Sequence, residues 1–291
     1  MINFVATNRK DGRETQMTYR ELWQRLLPIY DAGEAKAIAR MVFEVHFGLS
    51  MSDVLMGHDA DVPNEELEPL ASRLEKGEPI QYVIGKASFC DRFFHVEPGV
   101  LIPRPETMGL CELVTRHLSP EIRQPALLDI GTGSGCIAIT LALEWPQAEV
   151  TAWDMSEKAL QVARGNAERL GAHLLFERRD ALQLPADSNR WDVIVSNPPY
   201  ICERERKQMD RHVLDWEPPL ALFVPDDDPL RFYLSIGQYA IKALRPNGFL
   251  ATEINEQYGN EMQKLMKDIG FAKVKIYKDA YDKDRFAIAY K

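Results

Sequence analysis

ALLDIGTGSGCIAITLALEW, residues 126–145, is the stretch whose reading decides the fold. It opens with a short apolar run of the length and composition of a strand buried on both faces. A turn follows, Gly131-Thr132-Gly133-Ser134-Gly135, and then Cys136 to Trp145 reads as a helix. Strand, glycine turn, helix is the start of a βαβ unit. The alternation continues downstream. EVTAWD (149–154) and LLFERRD (174–180) read as strands flanking a helix over 157–171. WDVIVSNPPY (191–200) is an apolar strand stopped by two prolines, residues 229–244 a helix, GFLATEI (248–254) a strand and 257–268 a helix. FAKVKIYKD (271–279) and RFAIAYK (285–291) have the spacing of a closing hairpin. The expected fold class is therefore α/β: a parallel sheet covered on both faces, with an antiparallel strand added at the end.

Upstream the character differs. TYRELWQRLL (18–27) places Tyr19, Leu22, Trp23 and Leu26 on one helical face, with Thr18 and Glu21 spaced as a capping box. Helices are also predicted over 35–47, stopped by Gly48, and from Asn64 or Glu65 to about Lys76, stopped by Gly77. From Pro79, IQYVIGKASFCDRFFHVEPGV alternates apolar and polar residues and reads as strands of a hairpin, with Pro98-Gly99 as its turn. PRPE (103–106) cannot be helix interior, and Thr107 opens a helix to about His117. The expected organisation is a helical N-terminal domain over 1–77 that contacts the substrate, a β-hairpin linker over 78–108 and an α/β domain over 109–291.

A chain of 291 residues accommodates this arrangement, and its net charge of −9 opposes stable binding to nucleic acid or an anionic membrane. Cys90, Cys111, Cys136 and Cys202 form no CxxC pair, so reduced thiols and no metal are expected. The stretch MINFVATNRKDGRETQ has no apolar core of signal-peptide length, and no apolar run approaches the ~18 residues of a membrane span. These readings predict a cytoplasmic protein.

Ligands of α/β sheets collect at the carboxyl ends of strands, where strand order reverses. The glycines here are spaced GxGxG, with Cys136 where the dinucleotide pattern has its third glycine, and no phosphate-binding lysine follows. Asp154 ends the next strand, placed to accept hydrogen bonds from both ribose hydroxyls of an adenosine; alternatively it caps the helix begun by Ser156 and Glu157. Asp180 ends the third strand and can accept from an adenine amino group while Ala181 packs on the ring; alternatively it is a turn residue. Together these positions fit S-adenosyl-L-methionine, which has an adenosine and no phosphate.

Asn197-Pro198-Pro199-Tyr200 is the strongest signal. Two prolines fix φ and remove two N–H donors, leaving acceptors at a strand end. Asn197 Oδ1 and the Pro198 carbonyl can take both hydrogens of a planar amino group, aiming its lone pair at a sulfonium methyl.

At this point the residues resemble a known group. GTGSG, Asp154 and SNPPY are similar to class I amino-methyltransferases with an (N/D)PPY motif. PIQYVIG, Ile102 to Thr107, Glu217-Pro218 and Asp284-Arg285 narrow the likeness to bacterial protein-(glutamine-N5) methyltransferases of the HemK/PrmC type. Those enzymes methylate the glutamine of the Gly-Gly-Gln motif in peptide chain release factors. The resemblance spans nearly the whole chain and implies a Rossmann-like seven-stranded class I sheet; separately, a monomer is expected. It implies cofactor contacts from Gly131, Thr132, Gly133, Ser134, Gly135, Asp154, Asp180, Ala181 and Asn197, with Arg104 and Glu106 on the cofactor side. It also implies that Asn197, Pro198, Pro199 and Tyr200 hold the glutamine and carry transfer. The chain departs from the family at Met108, at Asn255 after Glu253-Ile254, and over VPDDDPL (224–230), all of which bear on the substrate groove. Two other substrates remain open: a ribosomal-protein glutamine, and an adenine base of nucleic acid, which flipped-base enzymes also present to such a motif.

Overall fold

The computed structural model describes residues 16–291. The N-terminal stretch read above for a leader lies outside the described residues as far as Thr15. The chain divides into two compact units after Gly85.

In the first unit, α1 (Tyr19–Leu26) starts at the Thr18/Glu21 capping box. It is followed by α2 (Ala32–Met41), which runs into a π-helical turn over Val42–His46, then α3 (Met51–Leu55), α4 (Asn64–Leu74) and α5 (Ile80–Ile84). Leu22, Leu26, Phe43, Leu67 and Leu74 close a core of their own. Here the strand expected from Pro79 is corrected: Ile80–Ile84 is helix. Ile80, Tyr82, Val83 and Ile84 are all buried, so the run has no polar face to betray its period, and Gly85 closes it at φ +68°.

The second unit begins with a two-stranded hairpin, β1 (Lys86–Phe89) and β2 (Arg92–His95). Its turn is Cys90-Asp91, with φ of +45° and +58°, and not Pro98-Gly99. Left-handed backbone at both central residues matches the twist of paired strands, but the usual Asn-Gly or Asp-Gly signature is absent. Pro98-Gly99 makes a separate turn, closed by the Val100 N–H on the Glu97 carbonyl at 3.2 Å. Phe89 and Phe94 pack into the core of this second unit.

The main sheet uses β3 (Ala126–Ile130), β4 (Glu149–Asp154), β5 (Leu175–Arg178) and β6 (Trp191–Ser196). After a short parallel pair, β7 (Ile201–Cys202) and β8 (Phe223–Val224), it adds β9 (Leu244–Glu253), β10 (Lys273–Lys278) and β11 (Asp284–Tyr290). The order is β10-β11-β9-β6-β3-β4-β5, with β11 antiparallel to both neighbours. This is the seven-stranded α/β sheet that the resemblance implied.

Residues alternate between the two faces of the sheet. Leu127, Val193 and Ala251 pack under α6 (Met108–His117) and α7 (Cys136–Glu144), and the edge of α8 (Glu157–Leu170) joins the same cluster. Leu128, Ile194 and Leu250 pack on the opposite face. Past the short α9 (Arg211–Trp216), that face is covered by α10 (Arg231–Ala243) and α11 (Gly259–Ile269). The chain runs from β3 outward to β4 and β5, then returns to β6 on the other side of β3. The resulting switch point opens a crevice at the carboxyl ends of β3 and β6.

Candidate active site

Three of the turn glycines have left-handed backbone: Gly131 at φ +79°, Gly133 at +56° and Gly135 at +83°. They serve different ends. A Cβ on Gly135 would meet Ile139 Cδ1 at 2.7 Å and Ala163 Cβ at 3.1 Å, so this glycine lets α7 and α8 close together. A Cβ on Gly131 or Gly133 would meet nothing within 4 Å, and both residues line the crevice. The turn is anchored on β4: the Gly131 and Thr132 N–H groups donate to the Trp153 carbonyl at 2.8 and 2.9 Å.

Asp154 does not cap α8, whose N-cap is Ser156, with its side chain accepting from the Ala159 N–H. Asp154 Oδ2 accepts from the Gly133 N–H at 2.9 Å and Asp154 Oδ1 from the Ser156 N–H at 2.8 Å, and the side chain lies on the crevice wall. Burial pushes its pKa up, opposed by the amides of Ser156, Gly133 and Met155. Beneath the turn, Asp129 is buried and accepts from the Thr132 hydroxyl at 2.7 Å. Its Oδ1 is buried without a hydrogen-bond partner of normal geometry. Burial raises this carboxyl to about 7. Asp180 closes its own turn through the Leu182 N–H at 2.8 Å, and Asp180 and Ala181 both line the crevice.

Across the crevice stands the end of β6. The Ser196 hydroxyl donates to the Ile130 carbonyl at 2.7 Å, which locks the ends of β6 and β3 together. Asn197, Pro198 and Pro199 follow on the wall. The Asn197 Nδ2 donates to Thr107 Oγ1 at 3.2 Å; the Thr107 hydroxyl in turn donates to Glu253 Oε2 at 2.7 Å. Tyr200 is not part of the wall: its hydroxyl donates to the other oxygen, Glu253 Oε1, at 2.8 Å. Glu253 ends β9 at 1 % exposure. Burial raises its pKa, opposed by these two hydroxyls and by Arg285, while the charge of Glu106 reinforces the rise. Asn255, one of the departures noted above, donates to the Tyr200 carbonyl at 3.2 Å and to Glu205.

Arg104 also lines the crevice, where its guanidinium donates to buried Glu217 at 2.6 Å. The second Glu217 oxygen accepts the Ile102 N–H at 3.2 Å, so the PRPE segment is tied to the loop carrying Pro218 and Leu220. The structure thus brings Arg104, Thr107, Gly131, Thr132, Gly133, Ser134, Asp154, Asp180, Ala181, Asn197, Pro198 and Pro199 round one crevice. It leaves Glu106, Gly135 and Tyr200 out of that lining, Gly135 because it packs helices and Tyr200 because it turns to Glu253. Sequence reasoning missed the Thr107–Glu253 pair, whose one local signal is a carboxylate ending an apolar strand, ATE (251–253).

The crevice offers an open backbone turn and a strand-end carboxylate on one side. On the other it offers a strand end with a side-chain amide and two prolines. The first half suits a ribose-bearing cofactor and the second a planar N–H donor.

Comparison with known proteins is consistent across both units. A family model described as PrmC N-terminal domain matches residues 21–85, and one described as Methyltransferase small domain matches 109–214. A release factor glutamine methyltransferase of Bacteroides thetaiotaomicron is 47 % identical over 270 residues, covering 91 % of this chain and 96 % of its own. Its counterpart in Flavobacterium psychrophilum is 38 % identical, covering 90 % and 94 %. Among solved structures, a methyltransferase from Pyrococcus furiosus superposes with a TM-score of 0.50 at 18 % identity, covering 75 % of this chain and 95 % of that one, a likeness of fold.

Proposed function

This chain belongs to the release factor glutamine methyltransferases, and from that premise we propose that it moves the methyl group of S-adenosyl-L-methionine to the side-chain amide nitrogen of the glutamine in the Gly-Gly-Gln motif of release factors. The cofactor, when bound, supplies an electrophilic sulfonium methyl. Gly131 and Gly133, with open space where a Cβ would stand, would leave room for it, Asp154 would offer acceptors to its ribose hydroxyls, and Asp180 and Ala181, which line the same crevice, would take its adenine.

The observation that carries the reading is the orientation of Asn197. Its NH2 group is committed to Thr107, so Oδ1 is the end left for a ligand. An amide nitrogen is a poor nucleophile because its lone pair is delocalised. Accepting one of its hydrogens on Asn197 Oδ1 and the other on the Pro198 carbonyl holds the plane fixed and turns the nitrogen toward the methyl group; as the nitrogen gains the methyl it would give up one of these two hydrogens as a proton, the broken carbon–sulfur bond leaving a neutral thioether. Pro198 and Pro199 have no N–H to compete for those acceptors. Positioning of this kind supplies several kcal/mol of barrier lowering.

The test is incubation with labelled S-adenosyl-L-methionine, a purified release factor, a ribosomal-protein substrate and duplex DNA. Label on the Gly-Gly-Gln glutamine is the expected result. Label on DNA or on the ribosomal protein alone would sink the proposal.

A further inference from the structure

We infer that Glu253 and Thr107 are positioning residues for the transfer, setting which end of the Asn197 amide faces the substrate. The inference rests on the function proposed above and adds two residues to it.

It follows from counting protons. Ionised Glu253 only accepts, a form that the two hydroxyls and Arg285 favour against its burial, and both its oxygens are taken, Thr107 on one and Tyr200 on the other. Thr107 has one hydroxyl proton. Once that proton is given to Glu253, the Thr107 oxygen can only accept, and the group it faces on Asn197 must be the donor, Nδ2. The buried acid therefore dictates, one residue removed, that Oδ1 points away from Thr107. A flipped Asn197 would set Oδ1 against Thr107 Oγ1, two acceptors with no proton between them.

Thr107 is also placed for this and not for helix capping. It ends a 3-10 turn, Pro105–Thr107, that runs into α6 with helical backbone, so its hydroxyl makes no cap bond there. Its hydroxyl instead reaches a residue 146 positions away in sequence. The same carboxylate fixes Tyr200, so both ends of the Asn-Pro-Pro-Tyr segment are referred to one buried group.

The decisive comparison is Thr107→Val against Thr107→Ser in the full chain. Valine keeps the shape and removes the hydroxyl; serine keeps the hydroxyl. For Thr107→Val the expected result is a fall in kcat of at least about tenfold, with the Kd for S-adenosylhomocysteine within about threefold of wild type. Thr107→Ser should restore kcat to within about threefold. Thr107→Ala, which removes the hydroxyl without adding bulk, should reproduce the loss and gives a second route if the valine variant folds poorly. The side-chain amide resonances of Asn197, followed by NMR without substrate, should shift in Thr107→Val and return in Thr107→Ser. A valine variant with wild-type kcat and unmoved Asn197 resonances would overturn the inference, as would a serine variant as impaired as valine. Wild-type protein that fails to methylate release factor, while the Asn197 resonances still respond to Thr107, would instead count against the proposed function and leave the relay standing.

Discussion

Asn197 and Asp154 face one crevice from opposite sides, and their substitutions should separate binding from chemistry. Asn197→Ala removes the acceptor that orients the substrate while the glycine turn and Asp154 remain. Transfer should be abolished and cofactor affinity should stay within roughly tenfold. Asp154→Ala removes a charged acceptor, an interaction of ~1.5–3 kcal/mol, so the cofactor Kd should rise roughly 10–150-fold by calorimetry. Full turnover by Asn197→Ala would contradict the mechanism. Asp129 yields a pH prediction. Below the ordinary aspartate range both folded and unfolded chains are protonated there. Between that range and about 7 the folded chain keeps a proton that the unfolded chain has lost, so stability falls as pH rises across the window. Asp129→Asn, neutral throughout, should flatten the fall in Tm between pH 5 and 8 by roughly 5 °C, and an unchanged slope would refute the assignment. Residues such as Asn197 and Asp154 were legible because strand-end chemistry is local: a side chain, a proline and a glycine within a few positions. Thr107 and Glu253 were not, because their meaning lies in a contact that only the folded sheet creates.

At the scale of elements, the strands and helices of the main sheet were legible wherever a run was long and bounded by glycine or proline. β3, β4, β6, α7 and α8 fall close to their expected places. The errors sit where the signal was degenerate: α5, buried nearly all round, and a hairpin turn built from Cys90-Asp91 without a glycine. How that hairpin is fastened was beyond the sequence as well. Fully buried Asn166 on α8 accepts the His95 N–H at 2.7 Å and donates to the His95 carbonyl at 3.0 Å. It also donates to the Ser134 carbonyl at 2.7 Å, so one helix residue ties β2 to the glycine turn. Asn166→Leu removes these bonds, and the one that Arg169 donates to Asn166 Oδ1, from a buried site. It should destabilise the fold by about 2–4 kcal/mol in urea denaturation and weaken cofactor binding, because the turn loses a support. A stability loss with unchanged cofactor Kd would show that the turn holds itself.

For the whole molecule, the division after Gly85 separates two cores, and all the described residues lining the crevice lie in the second, between Gly99 and Phe232. The matched relatives share the full two-unit length, first unit included. The contribution of that unit is best sought in the protein substrate, whose glutamine loop is a small part of a large surface. Net charge narrows the partner: at −9 the chain gains nothing from a polyanion. Residues 86–291 contain both clusters that sandwich the main sheet, which is why they are expected to fold alone. That fragment should bind S-adenosylhomocysteine with a Kd within about threefold of the full chain, while its KM for a release factor should rise at least tenfold. A short Gly-Gly-Gln peptide, too small to reach a second unit, should be methylated equally by both. Equal KM values for the intact release factor would remove the first unit from substrate recognition. Loss of cofactor binding by the fragment would mean instead that the first unit is needed to keep the crevice in shape.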